Sequence, residues 1–555
     1  MVSESESALG DLPTRWSQID DATYNRPVQS LRKPWPGAPW YHFPVMGPKI
    51  DIGTAFVAGP LARSDPYISV RAGGPDGHRS ELIERCAQLH YSRALFPAQV
   101  RLALDIAQRR GNAVIRASYV PTGVWPNGRN RYPYLKLEAC DPLHYKVYPA
   151  WVTDLSQAIL HGPEYDETVE DIQEKIDSGE YYDVEIRGGM SGPDEGDERL
   201  AQNREDNAVI PEHERVKCAE FYTTIDFDGE GRHWTVRYAL DEIKILSIKE
   251  CKYRRSACHD FYLHREYNRW YRERSRGSAL LGPQYFANDM RNLTVWLSMY
   301  TAMRPMFGEN WSLPDEVIQA EPGMVYPIER GGQVFTPQGQ VDLAAFPALI
   351  QMARDDADVA ARLSANSQGV ALPGTRRTAA EVNRIGLGQD VTVDEDAANA
   401  GFGLAELTDY VVGDLLYENF DDWYPWYGSF LPQGLTKEDF DRPYSYEVSG
   451  QTFNSSPEAI LQQAALLTQS LAQMMQMDPT IMQRYPEIIP GLLRSVVDVT
   501  VLSQKDTMLP TKEEEIAQRQ MMEAMIGQIS GAVQGSMGPL LSGPMLGLPS
   551  GAMAG

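Results

Sequence analysis

A chain of 555 residues, 43% of them hydrophobic, is long enough for a sizeable core or several subdomains. Its formal net charge of −25 excludes a generic high-affinity DNA binder, which would neutralise phosphates with clustered Lys and Arg. Five cysteines are too few and odd in number for a disulfide framework, the apolar runs are too short to span a membrane, and the acidic opening Met1–Ser7 is no signal peptide; assembly in a cytoplasm is the expectation.

Residues 1–75 are rich in Pro, Trp and Ser, as in Lys33-Pro34-Trp35-Pro36-Gly37-Ala38-Pro39-Trp40. They read as an irregular arm that docks on its own domain or on a neighbour. From Glu81 to Arg109 the apolar spacing is helical, with Pro97 dividing two helices and Gly111 ending the second. Ala113–Val120 reads as a buried strand, and Tyr134–Ala139 and Tyr145–Tyr148 continue a sheet. A helix near Glu167–Ile176 precedes an acidic, Gly-rich surface insertion, Gly188–Glu214. Lys217–Lys249 reads as a three-strand meander, its first hairpin turning at Asp228-Gly229.

Lys252–Arg276 is the one strongly basic stretch, interleaving seven arginines with Tyr253, Phe261, Tyr262, Tyr267, Trp270 and Tyr271. Aromatic-basic interleaving suits nucleic-acid contact. It equally suits ion pairing between subunits or Arg stems packed over rings, and both readings stay open.

Ala279–Val382 organises the rest. A helix over Gly282–Arg304 carries Phe286, Met290, Leu293, Leu297 and Tyr300 on one stripe, with Pro283 in its first turn and Pro305 beyond its end. Val295, Trp296, Met299 and Met303 widen the apolar surface beyond what one neighbour covers. Short extended runs with turns at Gly331-Gly332 and Pro337-Gln338-Gly339 follow. Helical period resumes at Asp342, with Asp358 placed to pair with Arg362. The loop Asn366–Arg377 is small, polar and Gly-bearing, and Thr378 with Glu381 has capping-box spacing. The chain then stays helical near Ala397–Tyr417, with Gly386, Gly388, Gly401 and Gly403 as breaks, and Tyr444–Val448 reads as a closing strand. Ser456-Pro457 starts the first of several Met- and Ala-rich helices, and Gly531–Gly555 reads as a disordered tail.

Two helices flanking a small β excursion, then a loop and the helix start Thr378-Ala379-Ala380-Glu381-Val382, resemble the centre of a tailed-bacteriophage portal protein, of the large podovirus-like kind. The resemblance covers most of the chain as an order of elements, without one diagnostic motif. It implies an α+β portal fold with wing, helical stem, small α/β clip and helical crown, assembled as a ring. On this chain the arm and the start of the wing would be 1–78, the wing 79–278, and the first stem helix 279–307. The clip would be 308–342, the second stem helix 343–366, the channel loop 367–378, the continued wing 379–452, the crown 453–530 and the tail 531–555. The resemblance further implies a DNA-channel loop with Asn366, Ser367, Gln368, Gly369, Arg376 and Arg377, and clip docking through Glu329, Arg330 and Gln333. The stem interface would be Phe286, Met290, Leu293, Leu297 and Tyr300. Implied partners are eleven further copies in a twelvefold ring, double-stranded DNA, the terminase large subunit, a tail adaptor, and the scaffolding and major capsid proteins, with no membrane and no cofactor. The location would be a capsid vertex of the virion. An acidic wall that repels phosphate suits a conduit, although acidity also serves plain solubility.

Other chemistry finds little footing. There is no Walker A spacing and no Gly-x-Ser-x-Gly elbow. Cys251, Cys258, His259 and His264 match no usual zinc spacing. Asp226, Asp228 and Glu230 imitate a calcium loop, but its twelfth position is Arg237. The competing expectations are another virion component, such as a tail adaptor or baseplate protein, and an enzyme of unrecognised class.

Overall fold

The computed structural model describes residues 2–448 apart from 27–31, 36, 64–65, 73–76, 125–128, 187–214, 226–231, 241, 309–321, 324–333, 336–344, 362–378 and 432–434. These belong to one compact unit, Met1–Ser455, of mixed helix and sheet. The acidic insertion, the Asp228 turn, most of the expected clip, the channel loop with Thr378, and the expected crown and tail therefore lie outside the described residues.

The first departure from expectation is at the N-terminus. The arm is largely helical: α1 (Val2–Leu9), α2 (Leu12–Thr23) and α3 (Met46–Arg63). In α2, Leu12, Trp16, Ile19 and Ala22 recur at helical spacing and are all buried, each large one contributing about 1.5–3 kcal/mol of transfer free energy. Asp20 accepts from both Arg109 (2.7 Å) and Arg110 (2.6 Å), which ties α2 to the core. Trp and Pro density suggested an irregular segment; between α1 and α3 the described residues that behave that way lie mainly after Thr23 and before Met46.

α4 (Gly77–Arg93) and α5 (Phe96–Arg110) are two helices as expected, but the break is at Ala94-Leu95 and Pro97 sits in the first turn of α5. Gly111 caps α5 at φ +102°, and a side chain there would overlap Arg272. Two main sheets follow. β2 (Asn112–Val120) sits between β11 (Cys258–Tyr262) and β5 (Tyr134–Cys140). The second sheet is a five-strand antiparallel meander, β6 (Tyr145–Tyr148), β7 (Leu160–Thr168), β8 (Arg215–Ile225), β9 (Arg232–Ala239) and β10 (Lys244–Glu250). The helix α6 (Val169–Asp177), capped by Thr168 on Asp171 N–H, covers a small core of Ile172, Tyr181, Val216, Cys218 and Leu246. β1 (Ile68–Ala72) pairs antiparallel with β14 (Tyr444–Val448), which joins the two ends of the described chain. On the other side of β1, Gln88 accepts from Tyr67 N–H and Glu84 from Val70 N–H, so α4 side chains close that edge.

The long helix α7 spans Arg276–Ala302, beginning six residues before the expected Gly282. Ser275 and Ser278 cap each other's backbone N–H, which fixes the start there and leaves Pro283 inside the helix rather than in its first turn. α8 (Phe346–Ala360) packs back against α7 through Ala353 and Ala357. α9 (Ala379–Tyr410) runs unbroken through all four glycines read as breaks. A glycine costs a helix only about 1 kcal/mol, and Gly403 repays it by letting α9 lie directly on β11: a Cβ there would overlap the Asp260 carbonyl. A π-helical turn, Val411–Leu416, leads to α10 (Phe420–Tyr427), whose Trp423 is fully buried.

Candidate functional site

The α7–α8 pair is the candidate site, since it carries the expected stem residues. Its geometry begins with a row of amides. Gln284, Asn288 and Asn292 stand four residues apart on α7 and are all buried. They face residues 39–46, which run antiparallel to the helix. Asn292 accepts from Tyr41 N–H (2.8 Å) and donates to Tyr41 C=O (3.0 Å). Asn288 accepts from Phe43 N–H (2.8 Å). Gln284 donates to Phe43 C=O (2.6 Å) and accepts from Val45 and Met46 N–H, both at 2.9 Å. Trp296 Nε1 donates to Pro39 C=O (2.8 Å).

Two repeats coincide here. Four helical residues rise about 6.0 Å and two strand residues about 6.6 Å, so every second backbone residue meets every fourth side chain. Pro39 is used only through its carbonyl, and Pro44 falls on the side that needs no N–H. Trp35, Trp40, Trp296 and Tyr300 close the far end, with Trp35–Tyr300 ring centroids 5.0 Å apart and edge-on. The amide spacing was visible in the sequence, but a polar stripe on a helix reads as a solvent face.

The expected interface stripe therefore lies mostly off the buried face. Phe286 is 37% exposed, and Met290 and Leu297 are half-buried. Leu293 and Tyr300 pack on the tryptophan cluster. Met303, Met306, Met352 and Val359 are exposed, the last at 80%, and Val295 and Met299 line a shallow groove beside Arg291 and Ser298. Past α7, β12 (Phe307–Gly308) pairs antiparallel with β13 (Val334–Phe335), so the excursion is drawn together at its base. Glu329, Arg330 and Gln333, together with Asn366, Ser367, Gln368, Gly369, Arg376 and Arg377, lie outside the described residues. Asp358 pairs with Lys49 of α3; Arg362 is not among the described residues.

In the basic-aromatic run, Arg272 is fully buried and donates to the carbonyls of Thr153, Glu266 and Arg269. Arg265 pairs with Asp154, Arg269 with Glu273, Arg255 with Asp409 and Arg276 with Asp396. Trp270 and Tyr271 are core residues, and Trp270 Nε1 donates to Asp260 at 2.8 Å. Among the described residues these arginines are spent within the chain, which favours packing over DNA contact.

A separate cleft of about 380 Å³ lies between the five-strand sheet, β11 and α9. It gathers three of the nine histidines: His161, His233 and His259. Burial pushes His161 and His259 down to about 3, helped by the neighbouring His233 and His161 respectively, so both imidazoles are neutral. Burial raises Asp260 to about 6 against the hydrogen bonds from Trp270 and Leu155. Of the four residues weighed as a zinc set, Cys258 and His259 are successive on β11 and face opposite ways, and His264 lies 4.0 Å from Asp396. Among the described residues no three His, Cys, Asp or Glu side chains are placed to hold a metal ion. No described helix is long and apolar enough to cross a membrane.

No family model matches the chain, and no curated protein matches it.

Proposed function

We propose that the chain is a portal protein: a structural subunit of a ring at one capsid vertex, through which double-stranded DNA is packaged and ejected. The observation that carries this reading is the α7–α8 pair. Two helices pack back to back, a short strand pair draws in the excursion between them, and apolar residues at Phe286, Met290, Leu297, Met303, Met352 and Val359 are left without full cover. A protomer that keeps such a surface exposed needs neighbours to bury it. The net charge of −25 suits a wall that must pass DNA without holding it. The ring would be twelvefold, with the terminase large subunit and then a tail adaptor docking at the excursion, and scaffolding and capsid proteins around the wing. Electron microscopy of the purified protein tests the reading. Rings with a bore of about 20 Å or more, the width of duplex DNA, are expected. A closed oligomer with no channel overturns it.

A further inference from the structure

We infer that residues 39–46 are a clasp with two states, seated on α7 and released, and that release loosens α8 from α7 while the sheets stay folded. The hold is unusual in kind. From Pro39 to Phe43 the clasp meets a polar helix face, so its seat there is made mainly of hydrogen bonds and one aromatic end-stop, and only its C-terminal end, Val45 and Met46, enters the main apolar core. Each such bond replaces one to water and is worth little net, whereas a buried polar atom with no partner is costly. The seated clasp carries four of these: Trp40 Nε1, both ring nitrogens of His42, and Asn288 Nδ2 have no hydrogen-bond partner among the described residues. Water satisfies all four on release. The seated state is thus held by exchangeable bonds and opposed by unmet ones, which is the composition of a segment that opens below the global unfolding free energy.

The clasp also bridges the two helices. It is bonded to α7 along Gln284, Asn288 and Asn292. Arg354 of α8 lies over the Phe43 ring at 4.8 Å, and Asp358 of α8 pairs with Lys49 just beyond the last rung. Met46 N–H is both the final rung and the first residue of α3, so opening has a natural stop there. The two states are independent of what the chain assembles into.

Native-state hydrogen exchange on the full chain tests this. Amides of Tyr41, Phe43 and Val45 are expected to exchange at least about 100-fold faster than those of Val114 and Ile115 in β2. Asn292→Leu is expected to speed them a further tenfold or so, to speed the α8 amides with them, and to leave β2 unchanged. Asn292→Asp keeps the acceptor for Tyr41 N–H but sets a carboxylate oxygen against the Tyr41 carbonyl; it is expected to speed the same clasp and α8 amides and leave β2 unchanged, and serves if the leucine variant does not fold. Clasp amides as slow as β2 overturn the inference, and so does acceleration of β2 in step with the clasp.

Discussion

Asp396 of α9, 1% exposed, accepts from Arg276, the first residue of α7, at 2.8 Å. One buried ion pair thus anchors the long helix to the segment that follows the expected channel loop. Arg276 reaches Asp396 by passing over Gly53 of α3, so three helices converge on it. Asp396→Ala strips a buried guanidinium of its carboxylate and is expected to cost about 3–5 kcal/mol, read as a lower denaturant midpoint. Replacing both residues with leucine-sized apolar side chains should recover much of that loss. If the double variant is no better than the single, the pair is more than a buried charge and its counter-ion.

Gly403 and Gly59 respond very differently to the same substitution. At Gly403→Ala the new Cβ overlaps the Asp260 carbonyl, so α9 must move off β11, and a loss of several kcal/mol is expected. At Gly59→Ala, inside α3, nothing but its chain neighbours lies within 4 Å, yet Pro60 follows and its Cδ crowds a Cβ on the residue before it, so the helix-propensity gain of about 0.5–1 kcal/mol is offset and a change near zero is expected. Thermal melts of the two variants beside the parent decide the matter.

Acid should weaken the fold already in the range where free histidine titrates. His90, His161 and His259 are held at about 3 by burial, below their ordinary 6.5. Between those values the unfolded chain binds protons that the folded chain refuses, so stability is full above 6.5 and falls as the pH drops toward 3. Each group contributes at most about 1.4 kcal/mol per pH unit. Asp260, raised from 3.8 to about 6, works the other way: the folded state takes up its proton first, so it gains stability as pH falls through that window. Burial also lowers His42 and His233 and raises Glu406 and Asp414, so five imidazoles stand against three carboxyls and the imidazoles prevail. Denaturation midpoints should decline steadily from pH 7 to pH 5, and His161→Phe should flatten the slope. A flat profile over that range refutes this balance.

Leu297 is half-buried in the protomer, so a charge there leaves the fold intact and strikes only what covers the helix from outside. Under the proposed portal reading, Leu297→Asp is expected to give a folded protein that does not assemble into rings, measured by circular dichroism and light scattering together. A normal ring from this variant removes that face of α7 from the subunit interface.

Arg376 and Arg377 carry the channel-loop expectation. Reversing either charge should impair DNA packaging while rings still assemble. Loss of rings instead would reassign both residues to subunit contact.

Much of the stretch from α4 to β10 was legible because local chemistry decides it. Pro97 and Gly111 punctuate α4 and α5 in the sequence as they do in space, and the alternation in Ala219–Ile225 and Trp234–Tyr238 gives β8 and β9 directly. What could not be read depends on partners far along the chain. Ser275 fixes the start of α7 through Ser278, but nothing local says that Pro283 will be carried inside that helix. Gln284, Asn288 and Asn292 become interior only because residues 39–46 bring unmet backbone groups to them from about 245 positions away. The glycines of α9 read as breaks because propensity sees only the lost side chain; at Gly403 it does not see the strand that needs the space.

The pairing of Ile68 with Val448 has a consequence for synthesis. The partners are 448 − 68 = 380 residues apart. At roughly 5–20 residues per second a ribosome needs on the order of 20–75 seconds to supply β14 after β1 has emerged. Through that interval the nascent chain holds an apolar strand with one edge shielded by α4 and the other bare. Slower translation across the middle of the message lengthens that interval in proportion.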